Sequence, residues 1–257
     1  MSWFARWRRE RVLRRQLVAE GAFAHAVEGL PILRGLSAEE LARLRERASL
    51  LIHDKTFSEA GGASVDEAMQ LAIAVQASLL TLNLDEDSYQ GWREIILYPD
   101  EFLRPREEVD EAGVVHHSRD ILAGESWHGG PLVLSLADVE ASGQADGYNV
   151  VLHEFAHKLD MLNGDANGFP PLHRGMDAAA WAHEFSQAYE DLCARVDAGE
   201  ETPIDPYATY NPAEFFAVLT EAFFEIPGLL HTEYPGVYAQ LRQFYRQHPL
   251  VRMGSAA

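Results

Sequence analysis

Residues 150–160 read VVLHEFAHKLD, with His153 and His157 four apart and Glu154 directly after the first. In a helix of 3.6 residues per turn, positions four apart lie one above the other, so two imidazole nitrogens can meet one ion. Glu154 is turned about 100° from His153, beside such an ion without facing it, where a general base for an attacking water belongs. Val150, Val151, Leu152, Phe155, Ala156 and Leu159 make the rest of the helix largely apolar. Two imidazoles and a carboxylate buried there each need a partner or cost about several kcal/mol. A metal ion partners all three, whereas an ordinary core would have to satisfy each histidine separately.

A catalytic zinc takes three protein ligands and keeps a fourth position open. No histidine completes the longer pattern H-E-x-x-H-x-x-G-x-x-H, since His173 and His183 stand off it. His116 and His117 are strand neighbours that point to opposite faces and cannot readily share an ion. The remaining source is a later glutamate. The stretch NPAEFFAVLTEAFFE, residues 211–225, offers Glu214, Glu221 and Glu225, of which Glu214 and Glu221 are seven apart on one helix face. Glu214 also has a structural role open to it. With Asn211 as N-cap and Pro212 at the first helical position, it falls where the carboxylate of a capping box sits. Spacing leaves Glu214 and Glu221 equal.

The elements that must hold these residues are legible in outline. Ser37-Ala-Glu-Glu40 and Ser64-Val-Asp-Glu67 have the form of capping boxes, which predicts helices over about 37–52 and 64–82 with a turn at Gly61-Gly62. Two short strands are predicted, Trp92 to Tyr98 ahead of Pro99 and Pro131 to Leu136 after Gly129-Gly130. Beyond Asn149, helices are predicted over 149–161, 177–197, 212–225 and 235–247, with a Gly/Pro/Asn-rich loop between the first two. Few strands followed by many helices predict an α+β, predominantly helical fold with a small sheet. The chain divides into a basic segment 1–22, a helical portion 23–88 and a catalytic portion 89–257, the last two forming one compact unit.

Charge narrows the classes of function. The first 16 residues carry Arg6, Arg8, Arg9, Arg11, Arg14 and Arg15 against Glu10, a net +5 that leaves −24 on the remainder of a chain whose total is −19. So acidic a body repels phosphate backbones and argues against direct nucleic-acid binding. The basic head, with Trp3, Phe4 and Trp7, either touches an anionic surface or folds as a solvated helix onto the acidic body, the plainer of the two. It lacks the uninterrupted apolar run of a signal peptide and is read as retained. The longest apolar stretch, residues 71–84, is too short for the ~20 residues of a membrane span and reads as a buried helix. Cys193 stands alone, which excludes an intrachain disulfide or a thiolate metal cluster and permits a reducing, cytoplasmic location.

The segments VVLHEFAHKLDMLNGD, IDPYATYNPAEFFAVLTEAFF, EIILYPDEF and GPLVLSLADVEASGQADGYN resemble the Mlc titration factor A family of bacterial zinc peptidases. The resemblance runs from about Leu30 to Leu250 and leaves the arginine-rich head outside. Such a chain is also similar in its catalytic core to the protease domain of anthrax lethal factor, a zincin-like fold. The resemblance implies one zinc ion held by His153, His157 and Glu214, Glu154 as catalytic base, and Tyr207, seven residues before Glu214, beside the metal; there Tyr207 could donate to an oxyanion or simply pack in a loop with its hydroxyl satisfied. It also implies aminopeptidase-like action and capture of an Mlc-like transcriptional repressor, with an effect on the glucose phosphotransferase genes.

Around that core, Asp160 could hold the second ring nitrogen of His157 or simply end its helix, and Glu221 could hold that of His153. The strand at Leu132, Val133 and Leu134 could bind an extended peptide by edge pairing or belong to the core. Three functions fit these residues: a zinc peptidase, a repressor-binding protein whose hydrolysis is secondary, and a zinc hydrolase of a non-peptide amide.

Overall fold

The computed structural model describes residues 3–100, 102–109, 115–122, 124–126 and 129–254. In chain order the helices are α1 (Trp3–Gln16), α2 (Glu20–Glu28), α3 (Ala38–Asp54), α4 (Glu67–Thr81), α5 (Leu136–Ala141), α6 (Val150–Asp160), α7 (Ala178–Asp197), α8 (Pro212–Glu225), α9 (Pro227–Glu233), α10 (Pro235–Tyr245) and α11 (Pro249–Gly254). The strands are β1 (Thr56–Glu59), β2 (Glu94–Tyr98), β3 (Phe102–Val109), β4 (Val115–Leu122), β5 (Gly124–Ser126) and β6 (Leu132–Ser135). The fold is α+β and mainly helical, as composition and pattern predict.

The capping box at Ser37 forms in full: its hydroxyl accepts from Glu40 N, and the Glu40 carboxylate accepts from Ser37 N. The second expected box does not form. Asp66 caps α4 instead, accepting from Met69 N at 2.8 Å. A carboxylate one residue before the first turn meets the free amides and the positive end of the helix dipole better than Ser64, which stands too far back. From Ile73 to Thr81 every residue of α4 is buried, so the apolar run is an interior helix. No helix among the described residues is long and apolar enough to cross a membrane.

One sheet has the order β1-β2-β6-β5, the first three strands parallel and β5 antiparallel to β6; β3 and β4 form a separate hairpin. Of the two readings open for Leu132, Val133 and Leu134, an edge or a core strand, the structure shows the core strand. They belong to β6, hydrogen-bonded on both sides and buried at all four positions. A strand covered on both faces reads as an unbroken apolar run, and such a run does not say whether its edges are paired. β5 is the edge.

The predicted helix 235–247 is found as α10, and two further short helices, α9 and α11, flank it, each of the three opened by a proline at its first position. The basic head is a helix laid against α3. Val12 is buried, and Arg8 and Arg9 pair with Asp54 at 2.6 Å and Glu46 at 2.5 Å. Such exposed pairs contribute about 0–1 kcal/mol each, so the buried face of α1 matters at least as much as its charge. The side chains of Trp3, Phe4, His116 and His117 lie outside the described residues.

One apolar core runs from Phe23 to Tyr245, with α4, α6 and α8 at its centre. α6 and α8 pack directly on each other, and that contact brings the two candidate motifs together.

Candidate metal centre

α6 starts at Asn149, whose side-chain oxygen accepts from Leu152 N at 2.9 Å. Its amide nitrogen donates to Gln76 Oε1 at 2.8 Å and Glu225 Oε1 at 2.7 Å, and its backbone N–H donates to Glu221 Oε2 at 2.5 Å. Ser142 Oγ accepts from Val150 N at 3.0 Å. An N-cap buried this deeply would cost about 1–3 kcal/mol for each unmet donor, and α4 and α8 supply the acceptors.

His153 and His157 therefore project from a fixed helix, their Nε2 atoms 3.2 Å apart. α8 is capped by Asn211, which accepts from Ala213 N at 2.8 Å and Glu214 N at 3.0 Å. Its own cap thus needs nothing from the Glu214 carboxylate, which reaches across to α6. Glu214 Oε2 lies 2.9 Å from His153 Nε2 and 3.3 Å from His157 Nε2.

These three donors fit a metal ion. In a tetrahedron with bonds of about 2.0–2.1 Å, ligand atoms stand about 3.3 Å apart, close to the observed 3.2, 2.9 and 3.3 Å. They form a group able to hold an ion, with all three ligand atoms within 4.8 Å of one another. Glu221 Oε1 lies 2.8 Å from His153 Nδ1. A proton on Nδ1 satisfies that contact and leaves the Nε2 lone pair aimed at the site. Burial opposes charge on His153, but the flanking carboxylates of Glu214 and Glu221 outweigh it and raise its pKa well above the usual imidazole value. Burial likewise works against the charge on Glu214, and the two histidines overcome it, holding that carboxyl well below its ordinary range.

Asp160 does not hold His157. Its Oδ2 accepts from Asn167 N at 2.8 Å and Gly168 N at 2.7 Å, while His157 Nδ1 and Asp160 Oδ1 are buried without a hydrogen-bond partner among the described residues. The last turn of α6 aims Asp160 at the following loop, whose two free amides claim it.

A cleft of about 690 Å3 opens over the site, lined by His153, Glu154, Tyr207 and Glu221, with Asp146 and Asp205 on its walls. Glu154 is 4% exposed. Tyr207 stands on the 3-10 turn Pro206–Thr209, is 45% exposed and stacks on Tyr210; its ring centroid is 6.1 Å from that of His153. Asp205 Oδ1 accepts from Tyr207 N at 2.9 Å and orders the turn.

One contributor escaped the sequence reading. Lys158, buried beside His157, donates to Gly130 O at 3.0 Å and Pro131 O at 3.3 Å, tying the approach to β6 onto α6. Its ammonium lies 4.9 Å from the Trp92 ring centroid, whose ring also takes Lys55 at 3.6 Å. Burial lowers the Lys158 pKa to about 8, against the pull of Glu154. A lysine inside an apolar helix was the available signal. Glu225, the remaining carboxylate offered by the sequence, stands outside the donor set; it accepts from Asn149 and Ala145, its pKa pushed by burial to about 7.

The family model described as "Glucose-regulated metallo-peptidase M90" matches residues 4–246. Proteins named Mlc titration factor A from Yersinia pestis (strain Pestoides F) and Yersinia pseudotuberculosis (serotype O:1b, strain IP 31758) are each 38% identical over 232 residues, covering 89% of this chain and 86% of the relative. The family match begins at residue 4, so the arginine-rich head lies within it, contrary to the narrower extent read from the motifs.

Proposed function

The chain belongs to the glucose-regulated metallo-peptidase M90 family, and from that premise we propose that it is a zinc peptidase with aminopeptidase-like action, acting in the cytoplasm and also binding an Mlc-like transcriptional repressor. The observation that carries the chemistry is the convergence of His153, His157 and Glu214, with His153 and Glu154 both lining one cleft. His153, His157 and Glu214 would hold one zinc ion, which when bound supplies a Lewis acid for the scissile carbonyl and lowers the pKa of water.

Glu154 takes the proton of the attacking water and delivers it to the leaving nitrogen. Glu221 keeps His153 in the tautomer that presents Nε2 to the site. Tyr207 donates a hydrogen bond to the oxyanion from the cleft wall. Asp146 and Asp205 make that wall acidic, which favours a substrate end bearing a free ammonium group. The repressor-binding part rests on the names of the relatives, Mlc titration factor A.

Metal content and hydrolysis of aminoacyl p-nitroanilides, compared between wild type and Glu154→Gln, test the peptidase. Bound zinc at one equivalent in both, with turnover lowered about 10²–10⁴-fold in the variant, is expected. Full activity in Glu154→Gln would remove the assignment of the base.

A further inference from the structure

A second cavity of about 720 Å3 lies between α2, α4 and α5. Its walls carry two alanine pairs at helical spacing, Ala22 and Ala26 on α2 and Ala68 and Ala72 on α4. Small side chains one turn apart on facing helices leave a slot into which large apolar side chains of a third helix can reach. Its floor touches the catalytic apparatus. Gln76 lines the groove and accepts from Asn149 at the N-cap of α6; Ser142 lines it and accepts from Val150 N. The segment 142–150 in fact walls both cavities, with Ser142 and Gln144 on the groove and Asp146, Gly147, Tyr148 and Val150 on the catalytic cleft.

The groove selects its occupant by charge. Its two carboxylates, Glu67 and Glu140, are exposed, and His25 is the other titratable lining residue. Acidic side chains beside an apolar slot repel a fatty acid or phospholipid headgroup and attract lysine or arginine. The chain's own basic helix is engaged elsewhere, since α1 is held on α3 by Arg8 and Arg9.

We propose that this groove docks an amphipathic helix of a protein partner, apolar on one face and flanked by lysine or arginine, and that docking is passed to the metal centre through the N-cap of α6. The route is short: Gln76 to Asn149, Asn149 N to Glu221, Glu221 to His153. Docking itself stands apart from the peptidase reading; the consequence for activity rests on it.

The test uses the full-length protein and a labelled synthetic helix about 18 residues long, built from Leu and Lys at helical spacing. Fluorescence anisotropy measures its affinity for wild type and for Ala22→Glu/Ala68→Glu. Both positions are exposed, so the fold is kept, and the double variant adds negative charge while filling the slot. Affinity at least about tenfold weaker in the variant, no displacement by laurate, and slower amide hydrogen exchange at Val150 in the wild-type complex are expected. Equal or tighter binding to the variant would show attraction to the acidic body alone and overturn the groove. Displacement by laurate would reassign it to a lipid, and absence of binding would remove it. Unchanged exchange at Val150 would sever the link to the metal centre. None of these readouts needs hydrolysis, so they fail separately from the activity of Glu154.

Discussion

Glu221 joins the start of α6 to its first histidine: one carboxylate oxygen accepts from Asn149 N, and the other lies 2.8 Å from His153 Nδ1. A single side chain from α8 therefore fixes both the position of α6 and the orientation of a candidate ligand upon it. Replacing Glu221 by Ala is expected to weaken metal affinity about 10–100-fold, read by competition with a chromophoric chelator. Glu221→Gln, which keeps an acceptor, should lose less. Equal losses in the two variants would argue that charge rather than hydrogen bonding is what Glu221 supplies.

Tyr207 stands over the cleft without belonging to the donor set. Tyr207→Phe is expected to leave zinc stoichiometry unchanged and to lower kcat by about 10²-fold, the usual scale for one lost oxyanion donor. A change confined to KM would reassign Tyr207 to substrate binding.

Asp160 acts from behind the site. It accepts from Gly168 N, and a Cβ on Gly168 would stand 2.4 Å from Pro212 O, at the start of the helix that carries Glu214. Gly168 also has φ +77°, a conformation that penalises side chains. Gly168→Ala should therefore displace Pro212, lower Tm and weaken metal binding together. Asp160→Asn should cost about 1–3 kcal/mol in chemical denaturation through the loop amides. A normal Tm with normal metal affinity in Gly168→Ala would break this link.

Glu225 gives the fold a pH dependence. Burial raises its pKa to about 7 from an ordinary 4.5, against hydrogen bonds from Asn149 and Ala145 and with the charges of Asp146 and Glu221 adding to the rise. Between about pH 4.5 and 7 the unfolded chain has lost this proton and the folded chain retains it. The contribution of the protonated group is thus complete below that window and is lost as pH rises through it. Glu225→Gln cannot ionise. The Tm of the variant minus that of wild type should increase across the window and then level off; a constant difference would show that Glu225 does not titrate there.

Most of the helices were legible. α6, α7 and α8 begin and end within a residue of expectation, because caps at Asn149, Asp177 and Asn211 and the apolar periods between them are local signals. The strands were less so. β1, β5 and the β3–β4 hairpin went unread: Pro105 and four acidic or basic neighbours disguise β3, and β1 and β5 are four and three residues long. Short strands are chosen by their pairing partners rather than by their own composition.

The sequence by itself determined the histidine pair, the glutamate beside it and the helix that bears them, because residues four apart in a helix meet whatever the rest of the chain does. It left Glu214 and Glu221 tied, since a face shared seven residues apart says nothing of what lies opposite. The tertiary structure resolved the tie by using both, Glu214 at Nε2 of His153 and Glu221 at Nδ1. It also turned Asp160 away from His157 and enclosed Leu132–Leu134 between two strands. Those outcomes depend on how α8 and the 161–177 loop pack on α6 and on which strands flank β6, contacts between segments far apart in the chain that no local period encodes.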